Sequence, residues 1–308
     1  MPLLRSAFIA LSRNRSLRSF SEKSSLGTRL SSRFVAGLEI DDALRAAEAV
    51  NRQGMFASLD SLGESVTTEN EAHKSAEVYH RLLDAIGARK LKANVSVKLT
   101  QMGLELDSGL AESIAHNLTE HARSIDNFVR IDMEDSSLTQ ITLEIVRRIH
   151  ARGNLRGAIG VVIQSYLYRS ESDVSELLAE GIRIRLCKGA YKESPEVAYP
   201  KKADVDANYA RLTGMLLASP IYHGLATHDV RMIDAARQHA QNHGITPDRF
   251  EFQMLYGVRR DLQRELIRDG YNMRVYIPFG REWYPYFMRR LAERPANVLF
   301  LAKSLLKS

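Results

Sequence analysis

The sequence predicts an α/β protein that folds as a (β/α)8 barrel. From residue 54 onward, short apolar or β-branched runs alternate with longer amphipathic segments, a pattern typical of repeated βα units around a parallel sheet. Eight such pairs occur within about 250 residues, which is the size of a closed barrel. An open doubly wound sheet is the alternative, but no GxGxxG turn follows the first strand to hold a dinucleotide.

Each predicted strand is a short run rich in apolar and β-branched residues. The eight strands are expected over residues 55–60, 93–99, 128–133, 158–164, 183–187, 224–228, 250–254 and 274–277. No low-complexity segment, long linker or sequence repeat argues for a second domain among them.

A predicted helix follows each strand. The helices are expected over about residues 69–86, 109–122, 138–152, 171–180, 204–218, 230–243, 259–269 and 282–294. Thr67 and Thr68 precede Glu71 in the arrangement of a helix N-cap. Glycines stand where C-terminal caps belong, namely Gly87, Gly153, Gly181, Gly244 and Gly270.

The first 33 residues are rich in arginine and serine and contain one acidic residue, Glu22. Their apolar residues recur at near-helical spacing, which favours short amphipathic helices packed on the domain. An organelle transit peptide has the same composition and is the alternative. We predict an N-terminal helical extension over residues 1–40 and the barrel over residues 41–308.

Composition limits the class of protein. No apolar run approaches the roughly 18 to 20 residues that cross a bilayer, which predicts a soluble or at most peripheral protein. The single cysteine, Cys187, excludes a disulfide framework and fits a reducing, cytoplasmic compartment. Much of the net charge of +6 lies in residues 1–33, so no nucleic-acid partner is expected, and contact with the inner face of the plasma membrane stays open.

Polar residues cluster at the ends of the predicted strands. A barrel enzyme carries its active site at the C-terminal ends of its strands, and polar groups buried there cost free energy unless they are paired or used. We therefore expect the active site among these residues. In chain order they are Asp60, Lys98, Asp132 with Glu134, Gln164, Arg185 with Lys188, Thr227 with His228, Gln253 and Tyr276.

Lys98 and Asp132 follow adjacent predicted strands, so we expect an ion pair between them. A purely structural salt bridge is one interpretation of this pair. Lys98 is also a candidate Schiff-base lysine, which would make the protein an aldolase. The residues alone leave these interpretations open.

The last predicted helix contains Arg289 and Arg290, and Glu293 lies one turn further on. Glu293 is thus placed to orient the two guanidinium groups. Two such groups near the barrel mouth would form a clamp for a carboxylate, because each binds it in bidentate geometry. A solvated basic helix face is the alternative.

Other kinds of active site have little support in the sequence. His223 and His228 lie five residues apart, and the chain contains no HExxH motif and no Cys/His cluster, so we expect no metal ion. No nucleophile-elbow motif supports Ser-His-Asp catalysis.

Seven segments resemble the proline dehydrogenase family, in the form of its monofunctional bacterial members. The resemblance covers about residues 40–300, and the segments RLCKGAY and RRLAE are its most specific part. The segments are VKLT at 97–100, RIDMED at 130–135, RLCKGAY at 185–191, ATHD at 226–229, EFQMLYG at 251–257, YIPFG at 276–280 and YFMRRLAERPAN at 286–297.

The resemblance implies a distorted (β/α)8 barrel that binds FAD without a covalent bond. It also implies oxidation of L-proline to Δ1-pyrroline-5-carboxylate, with electrons passed to a membrane quinone, and it allows a homo-oligomer. Where the family has valine in the RLVKGAY segment, this chain has Cys187, a small change for packing. Because no residues follow Ser308, we expect no second, aldehyde-oxidising domain.

Site roles follow from the same resemblance, position by position. Arg289 and Arg290 would clamp the substrate carboxylate, with Glu293 as the orienting residue. Lys98, Asp132 and Arg185 would be the catalytic residues, Tyr276 would pack over the substrate ring, and Tyr191 and Leu186 would form pocket walls. The residues expected to contact the cofactor are Met133, Gln164, Arg185, Cys187, Lys188, Gly189, Thr227, His228 and Gln253.

Other functions stay open at this point. One is a different barrel enzyme, either a flavin-dependent folate reductase or the Schiff-base aldolase that uses Lys98. Another is a basic protein without catalysis that binds nucleic acid or a membrane surface, which the arginine-rich N-terminal residues suggest.

Overall fold

A computed structural model of the chain describes residues 31–63 and 65–293, without the side chains of Arg289 and of residues 291–293. Eight parallel strands hydrogen-bond to their neighbours in chain order, and β8 pairs with β1 to close the barrel. The predicted closed barrel is therefore confirmed. Most of the predicted N-terminal extension, residues 1–30, lies outside the described residues.

The strands match the predicted ones to within about two residues at most ends. In chain order they are β1 (Phe56–Ser61), β2 (Ala93–Val97), β3 (Val129–Ile131), β4 (Ile159–Gln164), β5 (Arg183–Cys187), β6 (His223–Ala226), β7 (Phe250–Leu255) and β8 (Asn272–Phe279). The predicted β3 was too long, because Asp132 and the residues after it leave the sheet to enter the barrel mouth.

Helix α1 (Ile40–Asn51) precedes the barrel and packs against β1 and β8. A helix then follows each strand. These helices are α2 (Glu69–Ala88), α3 (Ser108–Ser124), α4 (Thr139–His150), α5 (Ser170–Glu180), α6 (Lys202–Ala218), α7 (Val230–Asn242), α8 (Arg260–Arg268) and α9 (Trp283–Glu293). Short 3-10 turns cover Leu99–Met102, Ser136–Leu138, Gly153–Leu155 and Pro247–Arg249.

The predicted helix caps are confirmed in part. The Thr68 hydroxyl accepts a hydrogen bond from the Glu71 amide, and the Glu71 carboxylate accepts one from the Thr67 amide. Gly181 ends α5 in the left-handed conformation. The prediction for Gly87 was wrong, because α2 continues through this residue to Ala88.

Two apolar clusters hold the fold together. The larger one lies between the strands and helices α1 to α8 and contains fully buried residues such as Leu59, Ile131 and Ile184. The smaller one joins α9 to residues before α1, through Phe34, Trp283 and their neighbours. Helix α9 is thus attached to the barrel by its own apolar contacts.

The inside of the barrel is polar. Side chains alternate between the two faces of a strand, so every second residue points into the barrel. In the structure Arg130 is one of these inward residues, and its guanidinium donates to backbone carbonyls. The other buried polar side chains there hydrogen-bond to one another, and they are Ser58, Asn94, Ser96, Arg185, Glu251, Gln253 and Arg274. Within the described part of the chain, no helix has the length and apolar character to span a membrane.

Candidate active site at the barrel mouth

The C-terminal ends of the strands, which we call the mouth, gather a buried hydrogen-bond network around Asp132. The residue follows β3 directly, and its Oδ1 accepts hydrogen bonds from Ser96 Oγ at 2.7 Å and Arg185 Nη1 at 2.8 Å. Its Oδ2 accepts one from the Tyr276 hydroxyl at 2.8 Å. Three strands, β2, β5 and β8, thus supply donors to one carboxylate.

Arg185 lies at the centre of this network and is 5% exposed. Besides Asp132, its guanidinium donates to Gln253 Oε1 at 2.5 Å, Ser96 Oγ at 2.9 Å and Ser58 Oγ at 3.1 Å. Its Cζ atom also lies 5.3 Å from the centre of the Tyr276 ring. These contacts come from β1, β2, β7, β8 and the residue after β3, so they fix the position of the guanidinium closely.

The Tyr276 hydroxyl keeps its proton at neutral pH. Burial and the nearby charges of Asp132 and Asp60 raise the pKa of Tyr276 well above its ordinary value. The phenol is therefore a hydrogen-bond donor to Asp132 rather than an anion.

The expected pair of Lys98 with Asp132 is not formed, which corrects the sequence-based prediction. Lys98 Nζ instead bonds to Asp60 Oδ1 at 2.8 Å, across from β2 to β1. Asp132 is already occupied by its three donors, and Asp60 is 1% exposed, so the buried carboxylate takes the lysine. Burial alone would lower the pKa of Lys98, but the charges of Asp60 and Asp132 outweigh it and hold the pKa above its ordinary value.

A second charged group lies beyond the end of β5. Lys188 Nζ donates to Asp206 Oδ1 at 2.5 Å and to Asp229 Oδ2 at 2.8 Å. Lys202 and Arg231 bond to the same two carboxylates. Three cations thus surround two anions, and hydrogen bonds from Lys188 and Arg231 bring the pKa of Asp229 well below its ordinary value despite burial.

Gln164 and Glu134 connect β4 to the loop after β3. Gln164 Nε2 donates to the Glu134 backbone carbonyl at 2.8 Å. The Glu134 carboxylate accepts from the Thr100 hydroxyl at 2.6 Å. Burial raises the pKa of Glu134, although the bonds to Thr100 oppose this shift.

Thr227 and His228 follow β6 at the mouth. His228 Nε2 accepts a hydrogen bond from the Leu255 amide at 3.0 Å, so this nitrogen carries no proton. The Thr227 hydroxyl accepts one from the Asp229 amide at 3.1 Å and shapes the turn into α7.

The remaining residues near β5 differ in exposure. Tyr191 is 42% exposed beside the mouth, whereas Leu186 is fully buried in the main apolar core and has no surface in the mouth. The expected role of Leu186 as a pocket wall is therefore not met in this structure. Burial raises the pKa of the Cys187 thiol to about 12, so it is not a reactive thiolate.

Gly189 is constrained by packing, and Met133 is buried. Gly189 has a φ of +110°, and a Cβ there would meet the Tyr166 ring at 2.4 Å, so the KGAY turn requires glycine. Met133 is buried next to Asp132.

The proposed carboxylate clamp lies on α9. The Cζ atom of Arg290 lies 5.1 Å from the centre of the Tyr286 ring, on the preceding turn. The side chains of Arg289 and Glu293, the other expected members of this site, lie outside the described part of the chain.

A cavity of about 540 Å³ opens at the same end of the barrel, beside the end of β1. The loop after β1 and the residue before α9 border it, through residues that include Ser61, Gly63, Gln101 and Glu282.

Sequence reasoning did not assign roles to several residues of this network. Asp60 was recognised as a strand-end residue, but its pairing with Lys98 was not. Ser96 lies two residues before Lys98, and strand alternation alone would have placed it inside the barrel. Asp206 lies in α6, far along the chain from Lys188, and no spacing signal connects the two.

Comparisons with known proteins agree on one family. The family model for proline dehydrogenase matches residues 43–303. Proline dehydrogenase 1 of Bacillus subtilis subsp. natto is 42% identical over 306 residues, which cover 99% of this chain and 100% of that protein. Proline dehydrogenase of Deinococcus radiodurans is 42% identical over 281 residues, which cover 90% of each chain.

A solved structure agrees with the sequence comparisons. The crystal structure of proline utilization A from Bdellovibrio bacteriovorus, inactivated by N-propargylglycine, matches with a TM-score of 0.83 and 26% identity over 94% of this chain. This chain spans 36% of the length of that larger protein.

Proposed function

The chain belongs to the proline dehydrogenase family, and we propose that it oxidises L-proline to Δ1-pyrroline-5-carboxylate with FAD as cofactor and a membrane quinone as electron acceptor. The observation that carries this proposal is the fixed Asp132, Arg185 and Tyr276 network, which lies at the mouth of the barrel and inside the matched region. A cytoplasmic location, peripheral membrane contact and a homo-oligomer belong to the same proposal.

The residues around the mouth fit a flavin. Phosphate groups need cations and free backbone amides, and the Lys188, Lys202 and Arg231 group carries one more cation than anion next to the first turn of α7. An aromatic ring system needs apolar cover, and Tyr191 and Val230 are large side chains exposed at 42% and 41% beside the same strand ends.

We assign cofactor contacts to Gln164, Arg185, Lys188, Gly189, Thr227, His228 and Gln253, with Met133 and Cys187 beside them. When bound, FAD supplies the acceptor for the hydride that leaves the substrate carbon. Arg185 would present a fixed positive charge at this place, because its partners already hold the guanidinium at the mouth.

The substrate is held by its carboxylate. Arg289 and Arg290 form the proposed clamp, and Glu293 orients them. Tyr276 covers the ring, and Lys98, paired with Asp60, contributes charge to the pocket wall. Orientation is the main requirement of this reaction, since a fixed amino acid loses hydride from the carbon beside its nitrogen once the amine is neutral. The rate is accordingly expected to fall at low pH.

The Schiff-base aldolase loses support from the state of Lys98. A Schiff base forms from a neutral amine, and such lysines have lowered pKa values. Lys98 has the opposite shift and is bonded to Asp60 at 2.8 Å.

Anaerobic addition of L-proline to the purified, FAD-loaded chain tests the proposed function. We expect the flavin absorption band in the blue region of the visible spectrum to bleach when L-proline is added. Arg290→Met should need at least tenfold more L-proline for the same bleaching, because a charge-assisted pair contributes roughly 1.5 to 3 kcal/mol. Arg264→Met, which changes an exposed arginine of α8, is the matched control. A chain that binds no FAD, or whose bound flavin does not respond to L-proline, would contradict the proposal.

A further inference from the structure

The end of the barrel opposite the mouth, which we call the floor, contains a second cavity. It has a volume of about 360 Å³ and lies where the strands begin. Its polar lining includes Lys92, Asn94, Arg123, Asp126, Asn127, Arg183 and Arg274, and the rings of Phe56 and Phe128 cover the rest. None of the residues assigned to the mouth lines it.

The charges around the floor cavity do not balance. Arg274 has its own partner, because its Nε donates to the buried Glu251 carboxylate at 2.6 Å. The other cations that line the cavity are Lys92, Arg123 and Arg183, and Asp126 is the one carboxylate among the lining residues. No ion pair within 4.0 Å joins any of these four to another described residue.

Arg183 is the least exposed of these three cations, and the charge of the buried Glu251, which bonds to Arg274, also acts on it. It is the first residue of β5, and its guanidinium lies over the Phe128 ring, with Cζ 4.1 Å from the ring centre. The Tyr222 ring flanks it at 5.6 Å. Its Nε atom is shielded from solvent and has no hydrogen-bond partner among the described residues. A partly buried cation between aromatic rings is costly to leave without an acceptor.

The walls of the cavity are held in place by other contacts. Asn94 accepts a hydrogen bond from Arg274 Nη1 at 3.0 Å, and Asn127 donates to the Ala93 carbonyl at 2.8 Å. Arg130, behind Arg183, donates to the Arg183 carbonyl at 2.7 Å. These hydrogen bonds hold the walls of the cavity in place, and the Arg183 side chain lines the cavity between them.

We infer that the floor cavity is a binding site for a small oxoanion such as inorganic phosphate, with Arg183 as its main ligand and Arg123 and Lys92 at its rim. A guanidinium matches two oxygens of an oxoanion with parallel donors, and the excess of cations matches its negative charge. The inference does not depend on the proposed function, because it uses no residue of the mouth.

Titration of inorganic phosphate into the FAD-saturated full chain tests this site. The readouts are the melting temperature and isothermal titration calorimetry, both at constant ionic strength set with chloride. Because a ligand that binds only the folded state stabilises it, we expect a saturable rise in melting temperature of about 3 °C at ten times the dissociation constant.

Two variants and one control decide the origin of the effect. Arg183→Gln should raise the dissociation constant for phosphate at least tenfold, while Arg264→Gln, at an exposed arginine distant in sequence, should leave it unchanged. Arg123 lies on the exposed rim, so Arg123→Gln is expected to fold normally. It should raise the dissociation constant for phosphate severalfold. A wild-type chain that shows no saturable response, or an Arg183→Gln or Arg123→Gln variant that binds phosphate as well as the control, would overturn the inference.

Discussion

The residue that organises the mouth is Arg185, because four side chains from other strands and loops accept its hydrogen bonds. One of them, Gln253, also donates to Glu251, and Glu251 in turn accepts from Arg274. A chain of buried polar contacts therefore connects the mouth with the floor of the barrel. Each member is satisfied by the next, which is the condition for polar groups to be stable in an interior.

The pairing of Lys98 with Asp60 can be tested by removing the carboxylate charge. Asp60→Asn should lower the free energy of unfolding by about 3 kcal/mol, because it leaves a largely buried ammonium group without its counter-ion. Urea unfolding measures the difference. Asp261→Asn, in the exposed pair with Arg259, is the control and should cost under about 1 kcal/mol. Equal losses in the two variants would show that Lys98 is not held by Asp60.

His223 should make the stability of the protein depend on pH. Burial, with Arg130 and Arg183 nearby, lowers the pKa of His223 to about 3 in the folded state. In the unfolded chain the pKa of His223 is ordinary, so as the pH falls below that pKa, protons bind the unfolded chain in preference to the folded one. Stability that is present at pH 7 is therefore lost at lower pH. The loss from this one group should be about 2 kcal/mol between pH 7 and pH 5.

Urea unfolding at several pH values checks the effect of His223. The Ile184 amide donates a hydrogen bond to His223 Nδ1 at 3.1 Å. His223→Asn keeps an acceptor for this amide but cannot titrate. The variant should therefore lose less stability than the wild type between pH 7 and pH 5. Parallel pH profiles for the two proteins would rule out His223 as the cause.

At the scale of single elements, two strands carry glycine where a long side chain from a neighbouring strand crosses the barrel. In β4, a Cβ on Gly160 would lie 2.5 Å from Arg130 Nη1 and 2.6 Å from the Arg183 carbonyl. In β6, a Cβ on Gly224 would lie 2.3 Å from Gln253 Nε2. These strands therefore require glycine for the space that it leaves rather than for a special backbone angle.

Gly160→Ala tests this requirement. The added methyl group must displace the Arg130 guanidinium, which donates to the Val161 and Arg183 carbonyls, so we expect a loss of about 1 to 3 kcal/mol in the free energy of unfolding. Gly153→Ala is the matched control, because no atom lies within 4 Å of a Cβ at that position. A loss no larger than that of the control would mean that the barrel interior adapts freely.

For the whole molecule, the closed barrel separates two kinds of polar surface. The mouth collects side chains that follow the strands, and the floor collects those that precede or begin them. Because the sheet closes on itself, it has no free edge, and each strand is held by two neighbours. A ligand bound at the mouth would contact residues that follow several strands and so would stabilise the barrel as a unit.

Binding of FAD should accordingly raise the melting temperature of the whole chain. At one hundred times its dissociation constant, a ligand specific for the folded state contributes about 2.7 kcal/mol, which for a domain of this size corresponds to roughly 5 °C. Differential scanning calorimetry of the apoprotein with and without added FAD measures the shift. Riboflavin lacks the phosphates of FAD, so it should give a smaller shift if Lys188, Lys202 and Arg231 contact those phosphates. No shift with FAD would count against a flavin site.

The sequence by itself determined the eight alternating strands and helices, and with them the barrel and the end at which polar side chains meet. It could do so because hydrophobic periodicity is a local property, and because a parallel barrel places every strand end on one side. Within each segment that resembles proline dehydrogenases, the residues lie next to one another along the chain, so these motifs could be read directly.

Only the tertiary structure decided which polar groups are partners. Lys98 bonds to Asp60 rather than Asp132, because Arg185, Ser96 and Tyr276 reach Asp132 from strands that are distant in sequence. The unbalanced charges of the floor cavity were likewise hidden, since they depend on which strands become neighbours. Inside a closed barrel, donors from several strands compete for each acceptor. The spacing of residues along the chain therefore does not predict which pairs form.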